Sequence, residues 1–64
     1  MWSLYRTDIF PARLIQSDLS LEVVKAIAWG VDGAAFEAVN HHTGEAFRGC
    51  RTEKNKIEWT NISQ

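Results

Sequence analysis

The sequence predicts an α+β fold: a single small domain in which one helix packs on a three- or four-stranded, mainly antiparallel sheet, in the order β-α-β-β. Three observations carry this. The stretch "SDLSLEVVKAIAWG" repeats apolar residues at helical spacing. The stretch "WSLYRT" before it alternates at strand spacing, and so do "AAFEAVNHH" and "EAFRGCR" after it. Thr43 and Gly44 separate the last two, as a hairpin requires.

In the first strand, Trp2, Leu4 and Arg6 share one face, and Ser3, Tyr5 and Thr7 the other. Pro11 has no amide hydrogen to give a ladder, so the chain kinks or the strand breaks between Asp8 and Pro11. A short helical turn opened by Pro11 is the alternative there. Ser20 or Asp18 caps the helix, and Glu22 suits the positive end of its dipole. Leu21, Val24, Ile27, Ala28 and Val31 form the buried stripe, widened by Val23. Gly30 and Gly33, with Asp32 between them, supply the stop and turn.

For the hairpin, a three-residue loop His42-Thr43-Gly44 with Gly44 left-handed sets His41 against Glu45, Val39 against Phe47 and Phe36 against Cys50. Two apolar pairs favour this register by about 0.2–1 kcal/mol each. Phe36, Ala38, Ala46 and Cys50 then share a face with Asn40 and Arg48. "IEWTNI" reads as a last strand after a polar turn, "TEKNK".

Sixty-four residues, 45% hydrophobic and with three tryptophans, describe one globular domain rather than a disordered chain. A chain of this size buries only about 60% of its unfolded surface, so its core is thin, and pairing or docking would relieve it. A single cysteine excludes an internal disulfide. No apolar run approaches the ~18 residues that span a bilayer, and a soluble cytoplasmic protein is expected. A net charge of −1 creates no field to attract nucleic acid.

Both histidines and the cysteine fall within "NHHTGEAFRGC". Adjacent residues of a strand point to opposite faces, so His41 and His42 diverge. Cys50 stands more than ~10 Å along the hairpin at ~3.3 Å per residue. No metal centre, no Cys–His nucleophile and no cofactor site is expected, and Cys50 reads as a small core residue. No phosphate-binding glycine motif and no acid–base carboxylate pair is present. A non-enzymatic role is therefore expected.

Trp29 falls on the polar side of the helix, near Glu22 and Lys25. Either it folds back over the sheet edge, or it forms a partner-binding patch with Glu22, Lys25 and Asp32. The leading expectation is a protein-binding module that inhibits or regulates a larger protein or complex, with a homodimer as a further possibility. A second reading is a nucleic-acid accessory protein that uses Arg48, Arg51, Lys54 and Lys56 beside Phe47 and Trp59. Interleaved Glu45, Glu53 and Glu58 count against it. A third is a homo-oligomer whose aromatic faces hold a flat ligand. The length and the strand–helix–hairpin outline resemble those of compact inhibitors encoded by phage and mobile elements, which block a larger host enzyme. That likeness lies in the outline alone, with no shared motif.

Overall fold

A computed structural model describes residues 1–63 and divides them into β1 (Trp2–Arg6), β2 (Arg13–Leu19), α1 (Leu21–Gly30), β3 (Ala35–Asn40), β4 (Ala46–Arg51) and β5 (Ile57–Asn61). The strands form one antiparallel sheet in the order β2-β1-β3-β4-β5. The α+β class holds, with five strands instead of three or four, and β-β-α-β-β-β instead of β-α-β-β. Both β2 and β3 run antiparallel to β1, so they are parallel to each other. Parallel strands need a long crossover, and α1 supplies it.

The extra strand comes from the segment after Pro11. The chain turns back between Asp8 and Ala12, and β2 pairs with β1. Two register shifts interrupt that pairing, and Asp18 adopts a φ of 60°. Bulges of this kind destroy strict alternation, which is why β2 has no clean strand pattern.

Ser20 caps α1, its hydroxyl accepting from the Val23 amide at 3.3 Å. Val24 and Ala28 are fully buried, while Leu21, Ile27 and Val31 pack half-buried against the same core. Val23 does not join the stripe and is 44% exposed. The glycines expected to stop the helix do not do so by turning left-handed. Val31 ends it by adopting extended backbone, with its amide still bonded to the Ile27 and Ala28 carbonyls.

The hairpin register differs from expectation by one residue. Val39 pairs with Ala46, Ala38 with Phe47, and Phe36 with Gly49. The loop holds four residues, His41 to Gly44, between Asn40 and Glu45. It is closed by hydrogen bonds from the Asn40 amide to the Glu45 carbonyl and from the Gly44 amide to the Asn40 carbonyl, each 2.8 Å. The Asn40 side chain also accepts from the amides of His42 and Thr43 at 3.0 and 3.2 Å. Gly44 has the expected left-handed backbone, with φ at +81°.

A slip of one residue turns every side chain of a strand to the other face. Phe47 and Gly49 therefore join Phe36 and Ala38 beneath the helix, and Cys50 becomes exposed instead of core. Leu4, Val24 and Phe36 lie fully buried at the centre. Burial of side chains this large stabilises the fold by about 1.5–3 kcal/mol each. Trp2 packs on Phe47 with ring centroids 5.6 Å apart. Trp59 and Ile57 of β5 close over Gly49, where a methyl group would come within 2.8 Å of the Trp59 ring.

Candidate functional site

Three connections meet at one end of the domain: the β1–β2 loop, the segment from α1 to β3, and the β4–β5 turn. Two arginines brace them. Arg6 donates to Asp8 from Nε at 2.6 Å and from Nη2 at 3.1 Å, and Asp8 Oδ2 accepts from the Ala34 amide at 3.1 Å. The first loop is thereby tied to the second. The Arg6 hydrogen bond, aided by the Ala34 amide, lowers the Asp8 carboxyl from 3.8 to about 2. Asp8, and Asp32 more weakly, in turn raise the Arg6 guanidinium above its ordinary value.

Arg51 ties the second connection to the third. Its Nε donates to the Gly33 carbonyl at 2.8 Å and its Nη2 to the carbonyls of Val31 and Ala28 at 2.8 and 3.2 Å. Nη1 donates to Asn55 Oδ1 at 3.0 Å. The last turn of α1 contains no basic residue of its own. A cation from β4 thus meets the negative end of the helix dipole. The guanidinium also lies 5.9 Å from the centroid of the Phe36 ring.

Trp29 stands on this braced end. It is 63% exposed and does not fold over the sheet edge. Glu22, Lys25 and Asp32 are exposed as well. Glu22, Lys25 and Trp29 share the outer side of α1 by helical spacing, and Asp32 follows just past its end. Trp29 and Asp32 line a depression of about 260 Å³ together with Arg51 and Asn55.

The four basic residues of the second reading are not brought together. Arg48 lies on the uncovered face of the sheet, opposite Glu37 and Thr60. Arg51 is turned to the helix carbonyls on the other face. Lys54 and Lys56 line a separate depression of about 580 Å³, in the company of Glu53 and Glu58. His41 Nε2 pairs with the Tyr5 hydroxyl at 3.1 Å, while Cys50 lies at the far end of β4 opposite Ala35. Among the described residues no three His, Cys, Asp or Glu side chains converge as a metal site.

The most exposed large hydrophobic side chain among the described residues was not singled out from the sequence. Phe10, at the tip of the β1–β2 loop, is 100% exposed, beside Ile9 at 39%. The available signal was an apolar pair set directly before Pro11, in a stretch that must leave the sheet. No helix among the described residues is long and apolar enough to cross a membrane. Comparison of the chain with protein-family models, with curated proteins and with solved structures finds no match.

Proposed function

We propose that this protein is a small non-enzymatic protein-binding module that inhibits or regulates a larger protein or complex. Its contact surface is the outer side of α1, with Trp29 as anchor and Glu22, Lys25 and Asp32 around it. The observation that carries the reading is a tryptophan left 63% exposed on a scaffold braced by Arg6 and Arg51. A large aromatic side chain presented on a rigid base is a favoured anchor at interfaces. A role as an inhibitor of a host enzyme, encoded by a phage or mobile element, is a narrower form of the same proposal and rests on the outline alone. The dispersal of Arg48, Arg51, Lys54 and Lys56 over separate surfaces favours a protein over a nucleic acid as partner.

The test is Trp29→Ala, read by thermal melting and by affinity purification with mass spectrometry. The variant melts like the parent, because the side chain is mostly outside the core, and it loses the protein that the parent retains. Retention unaffected by the substitution, or an absence of any retained protein, refutes the proposal.

A further inference from the structure

The sheet has two outer strands, β2 and β5, and their edges differ. Register shifts and the positive φ of Asp18 break up β2. Irregularities of this kind keep an edge from pairing with other chains. On the other side β5 pairs residue for residue with β4 from Ile57 to Asn61, without a shift. Within those bounds it holds no proline, no lysine and no bulge, and its Ile, Trp and Thr residues favour strands.

The bonding pattern shows which backbone groups of β5 face outward. The Ile62 amide donates to the Ala46 carbonyl at 2.9 Å, and the Thr52 amide to the Lys56 carbonyl at 2.6 Å. Residues that exchange bonds across an antiparallel ladder recur at every second position. Glu58 and Thr60 therefore bond to β4, and the amides and carbonyls of Ile57, Trp59 and Asn61 point away from the sheet. No loop hydrogen bond among the described residues engages them.

We propose that β5 pairs with β5 of a second copy of the chain, antiparallel and about a two-fold axis at Trp59, to make one continuous sheet. The strand's own pattern names the occupant. Such a two-fold pair must set one residue opposite itself, because neighbours in a strand point to opposite faces. With Trp59 opposite Trp59 the whole of β5 overlaps: Ile57 meets Asn61 and Glu58 meets Thr60, each twice. The outward groups fall at the centre and at both ends, so they bond one another in about six hydrogen bonds. No like charges stand directly opposite, and Glu58 faces a hydroxyl that can donate to it. Moving the axis to Glu58 sets that carboxylate against its copy, and every other register shortens the overlap. Ile57 and Trp59 are only half-buried, and the pairing covers more of both. A small domain with a thin core gains from that burial. Since α1 packs on β1 and β3, the two helices stand about 29 Å apart across the joined sheet, at ~4.8 Å per strand, and do not collide.

This inference uses none of the residues assigned above to a larger partner, so it stands or falls separately.

Sedimentation velocity of the intact chain, from about 1 μM to about 1 mM, tests it. A concentration-dependent monomer–dimer equilibrium is expected. Thr60→Glu sets like charges opposite each other twice and weakens the dimer about tenfold. The monomer tolerates it, because Arg48 of β4 lies opposite position 60. Glu58→Lys added to Thr60→Glu restores association, since opposite charges then meet. Asn61→Pro removes an outward amide that the dimer needs and the monomer does not, and it weakens the dimer as well. Circular dichroism confirms that each variant is folded. Amide exchange at Ile57, Trp59 and Asn61 slows as the concentration rises. Trp29→Ala leaves the dimer unchanged, which separates this interface from the one on α1. A monomer at every concentration overturns the proposal and leaves the edge to a strand of another protein. So does a dimer indifferent to Thr60→Glu and Asn61→Pro, or a double variant no better than Thr60→Glu alone.

Discussion

Arg51 Nη2 lies 2.8 Å from the Val31 carbonyl oxygen, so the end of the fourth strand caps the end of the helix. The bond joins elements that never touch in sequence, and three further hydrogen bonds of the same side chain strengthen it.

Removal of that guanidinium takes the side-chain donor from the carbonyls of Val31 and Gly33 in a half-buried site, and leaves the Ala28 carbonyl with the Val31 amide alone. Arg51→Ala is expected to destabilise the fold by about 2–3 kcal/mol, measured by urea unfolding. Arg51→Lys recovers little, because a single ammonium cannot span carbonyls that the planar fork reaches from separate nitrogens. Full rescue by lysine would show that charge alone, and not the fork, holds the loop end.

Asp8 makes stability depend on pH in acid. Its folded value of about 2 lies below the ordinary 3.8, so its contribution is complete above 3.8 and is lost as pH falls toward 2. Asp8→Asn keeps an acceptor for the Ala34 amide but removes the charge that Arg6 holds. The variant's urea midpoint should change less with pH than the parent's across that window. Parallel curves for the two proteins would place the acid sensitivity elsewhere.

Gly49 and Gly30 respond to the same substitution with opposite signs. A methyl group at Gly49 meets the Trp59 ring at 2.8 Å and the Ile57 side chain at 2.9 Å. Gly49→Ala is expected to cost about 1–3 kcal/mol by overpacking, with a shift in tryptophan fluorescence. At Gly30 nothing lies within 4 Å of the added carbon. Gly30→Ala should raise stability by about 0.5–1 kcal/mol through helix propensity. Equal effects at the two sites would contradict the packing of β5 over β4.

Asn40 holds the hairpin loop through one side-chain oxygen that accepts from two backbone amides, and Asn40→Ala removes that acceptor. A loss of about 1 kcal/mol is expected. Amide exchange should quicken first at His42 and Thr43, whose amides Asn40 accepts from. Unchanged protection at those two amides would mean that the loop is held by its backbone bonds alone.

The amino-acid order alone determined the local parts of this protein. The stripe of Leu21, Val24, Ile27, Ala28 and Val31, a cap at Ser20 or Asp18, the shared face of Trp2 and Leu4, and the left-handed Gly44 all follow from preferences that operate within a few neighbouring residues, whereas the choice of Ser20 and the inward turn of that face came with the fold. The outward position of Trp29 follows from helical spacing too, although spacing could not say whether its ring would fold back.

The rest was decided only in three dimensions. The hairpin register turned on the Asn40 side chain, which favours a longer loop, and on Gly49, whose missing side chain makes room for Trp59. Pairwise strand preferences of about 0.2–1 kcal/mol cannot outweigh such contacts, so they chose the wrong register and with it the wrong environment for Cys50. The second strand escaped notice because its bulges erase alternation. The partner of the helix C-terminus lay beyond any local pattern, since Arg51 stands 20 positions after Val31. Short-range spacing and capping are written along the chain, whereas register, edge strands and distant caps emerge when separate elements compete for the same space and the same hydrogen bonds.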